Sequence, residues 1–116
     1  MRQSQVWGIL FYPHFLVECI SDFIATHNRK PYVLDIGCGT GLLSLQAARA
    51  GAEHVYACEM FSGWAEIAAK NVKENGFESV ITVFNKHSSS LSVKPSSPPS
   101  SSEEVTKYGW NVVFQN

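Results

Sequence analysis

Val33-Leu34-Asp35-Ile36-Gly37-Cys38-Gly39-Thr40-Gly41 is the stretch whose reading decides the fold. It begins inside a short apolar run, 32–36, bounded by Pro31 and Gly37, which reads as a buried strand. Three glycines at alternate positions then permit a sharp turn with positive φ and let a ligand approach without a Cβ in the way. Residues 41–50 are rich in Leu and Ala, strong helix formers, and Gly51 is a natural cap after them. The unit is strand, glycine turn, helix.

Such a turn can serve several ligands, and the spacing discriminates among them. A dinucleotide loop has Gly-x-Gly-x-x-Gly, with a pyrophosphate on the helix N-terminus. Here the glycines are Gly37, Gly39 and Gly41, one residue shorter, and Leu42 stands where that third glycine belongs. No Lys-Ser or Lys-Thr follows, which excludes a Walker phosphate loop. Asp35, two residues before the first glycine, would repel a pyrophosphate and attract an ammonium group. Glu59 ends a second apolar run and falls 24 residues after Asp35, near the spacing of about 20 expected for a ribose-binding acid. Its two oxygens can accept both ribose hydroxyls. A ligand with a ribose, an ammonium group, a sulfonium cation and no phosphate fits this set: S-adenosylmethionine.

Outward from the loop, the pattern repeats. Residues 14–28 carry Leu16, Ile20, Phe23 and Ile24 at helical spacing, and the cluster 28–31 ends that helix. Residues 54–58 predict a second strand. Ser62 is placed to cap a helix whose buried stripe reads Trp64, Ile67, Ala68 and Val72, and Gly76 closes it. Residues 80–84, rich in β-branched side chains, predict a third strand. Alternating strands and helices imply a parallel sheet with crossover helices. From 88 to 102 Ser and Pro dominate, predicting a disordered loop. Residues 110–114, Trp-Asn-Val-Val-Phe, predict a fourth strand. The expected organisation is therefore an N-terminal segment 1–31 with an amphipathic helix, a cofactor-binding βαβαβ core 32–87, a Ser/Pro-rich loop 88–109 and a fourth strand in 110–116.

Composition narrows the remaining classes. With 116 residues, an apolar fraction of 45% and a formal net charge of −1, the chain has the composition of a small globular domain and no electrostatic footprint for nucleic acid or an anionic membrane. The apolar run 6–12 is too short to span a bilayer, and Pro13, His14 and Glu18 interrupt it, arguing against a secretory signal. Cys19, Cys38 and Cys58 lack metal-ligand spacing and cannot all pair, which predicts reduced thiols, no metal, and residence in cytoplasm or nucleus.

Residues 33–59, VLDIGCGTGLLSLQAARAGAEHVYACE, and the continuation MFSGWAEIAAKNVKENGF and ITVFNKHSSSL resemble the protein arginine N-methyltransferases. The resemblance covers 32–93; the glycine motif is shared by most class I methyltransferases, and the runs 50–59 and 85–88 narrow it. It implies an α/β, partial Rossmann-like class I methyltransferase fold with three to four parallel strands, and S-adenosylmethionine as cofactor. It further implies Asp35, Gly37 and Gly39 along the methionine portion, with Cys38, Thr40 and Gly41 completing the loop. Glu59 would lie on the ribose, Met60 against the adenine, and the His87 backbone and Ser88 at the adenine edge. The implied reaction is methyl transfer to an arginine guanidinium of a protein substrate, such as a histone or an RNA-binding protein.

The departures from the family pattern matter as much. A guanidinium is protonated at accessible pH and is a poor nucleophile; the family clamps it with two spaced glutamates after its fourth strand. Glu103 and Glu104 are adjacent, a solvated pair rather than a clamp, so no catalytic residue is assigned. The family's Thr-His-Trp motif and its C-terminal barrel have no counterpart, and 11–28 contains no arginine to grip the cofactor carboxylate. The expectation is a cofactor-binding fragment, inactive as it stands. The alternatives are a class I methyltransferase for a small molecule or nucleic acid, and a non-catalytic truncated product.

Overall fold

Tyr32–Ile36 and His54–Cys58 form adjacent parallel strands, β1 and β2, in a computed structural model that describes residues 13–87 and 111–115. Ile81–Phe84 forms β3 on the outer side of β2, and Val112–Gln115 forms β4 on the other side of β1. The sheet order is β3-β2-β1-β4, parallel throughout. Among the described residues three helices accompany it: α1, Pro13–His27; α2, Leu42–Ala50; and α3, Ser62–Glu74.

The strands bury both faces, which is why their sequences run apolar without alternation. On one face Val33, Val55, Ala57, Ile81 and Val112 pack with Leu16 and Ile20 of α1, Leu43, Leu45, Ala47 and Ala48 of α2, and Ala68 and Val72 of α3. On the other face Tyr32, Leu34, Tyr56, Cys58 and Val113 form a second cluster, to which no helix among the described residues contributes. Fully buried side chains such as Leu16, Ile20 and Val33 each stabilise the fold by about 1.5–3 kcal/mol.

Helix α2 begins and ends on glycine. Gly41, with φ of 88°, is its N-cap, and Gly51, with φ of 113°, donates its backbone N–H to the last turn. That left-handed geometry favours a residue without Cβ at both ends.

Helix α3 corrects two expectations. Phe61, not Ser62, is its N-cap, and no side chain of the cap residue bonds the helix. Its buried face is Ala65, Ala68 and Val72, while Trp64 and Ile67 are 49% and 44% exposed. Ala68 and Val72 are buried as expected, but Ala65 takes the place of Trp64 and Ile67 because α3 rests on the glycine loop: a Cβ on Gly41 would lie 3.4 Å from Ala68 Cβ. Only small side chains permit that approach, so closeness of packing outweighs hydrophobic bulk.

β4 starts two residues later than the run 110–114 suggests. Asn111 precedes it and is completely buried. Its N–H donates to the Tyr32 carbonyl at 2.9 Å, and its Oδ1 accepts the Tyr32 N–H at 2.9 Å and Arg29 Nη1 at 3.3 Å. These bonds tie β4 to the start of β1. Trp110 and the Ser/Pro-rich stretch lie outside the described residues. No helix among the described residues is long and apolar enough to cross a membrane.

Candidate cofactor site

Strand order reverses between β1 and β4, and ligands of open parallel sheets bind at the carboxyl ends of the strands beside such a switch point. Three loops meet at that end: 37–41 after β1, 59–61 after β2 and 85–87 after β3.

The first loop is built from backbone hydrogen bonds. Gly37 and Cys38 both donate to the Cys58 carbonyl, at 2.8 and 3.0 Å, and Gly41 N–H donates to the Cys38 carbonyl at 2.9 Å. Gly37, Gly39 and Gly41 all have positive φ, at 71°, 56° and 88°. Above Gly39 the space is open: a Cβ there would meet nothing within 4 Å. The Thr40 carbonyl accepts Asn71 Nδ2 of α3 at 2.9 Å, which pins the loop to that helix.

Glu59 follows β2 and joins two of the three loops. Its N–H donates to the Phe84 carbonyl at 2.9 Å, extending the β2–β3 ladder by one residue. Its side chain is only 8% exposed. Oε1 accepts the Gly39 N–H at 2.9 Å and Oε2 accepts the Phe61 N–H at 3.1 Å. The carboxylate therefore bridges the glycine loop and the entry to α3, replacing the side-chain cap that Ser62 does not provide. A carboxylate offers about four lone-pair sites, so an acceptor position remains on each oxygen. Met60 lies beside it and is exposed.

Asp35 is placed differently from the reading that opens it to an ammonium group. Its carboxylate is 0% exposed, and Oδ2 accepts the Ser44 hydroxyl at 2.5 Å. It lies beneath the loop, linking β1 to α2, and acts on the site through its charge. Exposed His87 ends the described part of the β3 loop; Ser88 lies outside the described residues.

The cysteines report the local field. The Cys38 thiol is pushed up to about 12 by burial first, and then by Asp35 and Glu59. The same causes push Cys58 up to about 11. A site with this negative field is unfavourable for a phosphate and favourable for a cation. Neither thiol is a nucleophile at neutral pH. At pH 8, iodoacetamide is expected to modify the folded chain only at Cys19, which is partly exposed, and all three cysteines in urea; peptide mass spectrometry reads this directly. The unfolded chain releases these protons nearer 9, so stability falls as pH rises from there towards 11 and 12.

Sequence reasoning misses Ser44, Asn71, Asn85 and the Phe61 N–H. Ser44 stands on a helix face turned inward, an unusual place for a polar side chain, and that is its signal. No group of three or more His, Cys, Asp or Glu among the described residues is arranged to hold a metal ion.

The comparisons with known proteins agree with this geometry. The family model described as ribosomal protein L11 methyltransferase (PrmA) matches residues 17–98. Protein arginine N-methyltransferase 7 of Mus musculus is 50% identical over 72 residues, 62% of this chain and 10% of that protein. Protein arginine N-methyltransferase 1 of Oryza sativa subsp. indica is 59% identical over 87 residues, covering 63% of this chain and 22% of that protein. Among solved structures, PRMT6-SAH has a TM-score of 0.53 at 35% identity, covering 64% of this chain and 21% of that one. The chain thus spans about a tenth to a fifth of the length of these curated relatives. A Trypanosoma brucei PRMT1 enzyme-prozyme complex has a TM-score of 0.56 over 92% of this chain and 32% of that one, at 24% identity, a likeness of fold alone. The chain belongs to the methyltransferase family that the ribosomal protein L11 methyltransferase (PrmA) model describes, and its sequence is similar to the protein arginine N-methyltransferases.

Proposed function

We propose that the cleft over Gly39 and Glu59 binds S-adenosylmethionine, and that the protein of which this cleft is part methylates arginine in protein substrates. The observation that carries the reading is the Glu59 carboxylate. It is held between the Gly39 and Phe61 N–H groups with an acceptor position left on each oxygen, beside an open space over Gly39. Glu59 holds the two ribose hydroxyls, exposed Met60 covers the adenine, and the His87 backbone lies at the adenine edge. The loop 37–41 gives its open backbone to the methionine portion. Asp35 and Glu59 supply the negative field that suits a sulfonium and an ammonium group.

When bound, S-adenosylmethionine supplies a methyl group on a positively charged sulfur for in-line transfer. Holding an arginine guanidinium in line with that methyl takes carboxylates free to face it. Asp35 is buried beneath the loop and Glu59 is committed to backbone N–H groups and ribose. Neither of these two described carboxylates clamps a guanidinium, and the reading is that the chain binds cofactor without transferring the methyl. Histones and RNA-binding proteins, rich in arginine, are the proposed substrates, in cytoplasm or nucleus, where the free thiols of Cys19, Cys38 and Cys58 stay reduced.

The test is calorimetric titration of the chain with S-adenosylmethionine, followed by incubation with labelled cofactor and an arginine-rich histone peptide. Saturable binding with no label in the peptide is expected. Absence of binding would overturn the cofactor reading, and robust labelling would overturn the assignment of catalysis to residues elsewhere.

A further inference from the structure

We propose that Asn85 is a positioning residue for the adenosine part of the cofactor, acting as a clamp on the Glu59–Met60 backbone. The proposal rests on the cofactor reading above. Asn85 directly follows β3, and its Nδ2 donates to two successive carbonyls, those of Glu59 and Met60, at 2.9 Å each. Successive carbonyls of a strand point to opposite sides. Here both are captured by one amide, so the chain leaves the sheet between them. The Glu59 N–H still bonds the Phe84 carbonyl at 2.9 Å, while α3 begins at Ser62.

Asn85 thus holds the point at which β2 turns into α3. Among neutral side chains, only Asn and Gln carry two N–H bonds on one atom; a hydroxyl satisfies one carbonyl and leaves the other. The two residues clamped are the two that face the nucleoside: Glu59 with its carboxylate between Gly39 and Phe61, and exposed Met60. With the amide removed, the Gly39 N–H still holds Oε1, but the Met60–Phe61 peptide is free to rotate, and its N–H is the donor that holds Oε2. The acceptor positions offered to the ribose then lose their fixed orientation, and the effect falls on the adenosine part of a ligand.

The experiment compares the full wild-type chain with Asn85→Ala, Asn85→Asp and Asn75→Ala. Each is titrated calorimetrically with S-adenosylmethionine and with 5′-methylthioadenosine, which lacks the amino-acid portion. Asn85→Ala and Asn85→Asp are expected to weaken both ligands by the same factor, about tenfold. Asn75→Ala removes an amide–carbonyl bond of the same kind at the far end of α3, and it leaves 5′-methylthioadenosine within about twofold of wild type, inside the spread of an exposed contact. Wild-type affinity in both Asn85 variants, or an equal loss of 5′-methylthioadenosine in Asn75→Ala, overturns the proposal. In the wild-type chain, the Asn85 side-chain amide protons are expected to shift in NMR spectra on addition of 5′-methylthioadenosine. Their failure to shift overturns the clamp even if the variants do not fold. If the wild type binds neither ligand, the cofactor reading itself fails, an outcome distinct from binding that ignores Asn85.

Discussion

Glu59→Ala is expected to weaken S-adenosylmethionine binding by about a hundredfold or more, the loss that follows from removing two charge-assisted hydrogen bonds of about 1.5–3 kcal/mol each. The residue does two things at once. It presents acceptor positions to a ribose, and it closes the glycine loop onto the start of α3 through Gly39 N–H and Phe61 N–H. Alanine removes both roles and leaves two backbone donors without their carboxylate. Glu59→Gln is the sharper variant, because it preserves shape. One of its side-chain positions becomes an NH₂ group facing a backbone N–H, donor against donor, and one ribose hydroxyl loses its acceptor. Its binding is expected to fall nearly as far as that of Glu59→Ala in calorimetric titration. Affinity within threefold of wild type in Glu59→Gln would remove the carboxylate from the site.

The course of the chain through this site is written in its sequence to an unequal degree. β1 and β2 occupy the runs 32–36 and 54–58 that apolar patterning picks out. Buried parallel strands need apolar side chains on both faces, and Pro and Gly mark their limits. The positions of Gly39 and Glu59 are equally legible, since spacing along a βαβ unit is set by element lengths. What the patterning does not contain is the distance between layers. Trp64 and Ile67 have the hydrophobicity of a buried stripe, yet Ala65 faces inward beside Ala68 in their place because the glycine loop approaches α3 closely. Asp35 illustrates the same limit. A carboxylate beside a ligand loop reads as a contact residue, but strand alternation turns it to the face where Ser44 of α2 receives it. Asn71, Asn85 and Asn111 serve carbonyls or N–H groups far away along the chain. Such partners create no local period, so only the folded chain identifies them.

The two glycines that follow Cys38 separate stability from binding, and their variants are expected to diverge. Gly41 has φ of 88°, and a Cβ there would touch Ala68 Cβ at 3.4 Å. Gly41→Val adds two methyl groups beyond that contact at a backbone conformation that β-branched residues avoid. Left-handed strain of about 1–2 kcal/mol joins an overpacking penalty of about 1–3 kcal/mol. A loss of about 2–5 kcal/mol in urea unfolding is expected, with α3 pushed away from the loop. Gly39 sits at φ of 56°, close to the left-handed minimum, with nothing within 4 Å of an added Cβ. Gly39→Ala is therefore expected to lower stability by only about 1 kcal/mol. Its Cβ would stand in the open space assigned to the ligand, so S-adenosylmethionine affinity is expected to fall at least about tenfold, the scale of one displaced close contact. A Gly39→Ala chain that binds as the wild type does would mean that the ligand lies elsewhere. A Gly41→Val chain that unfolds at the wild-type urea concentration would mean that α3 does not rest on the loop.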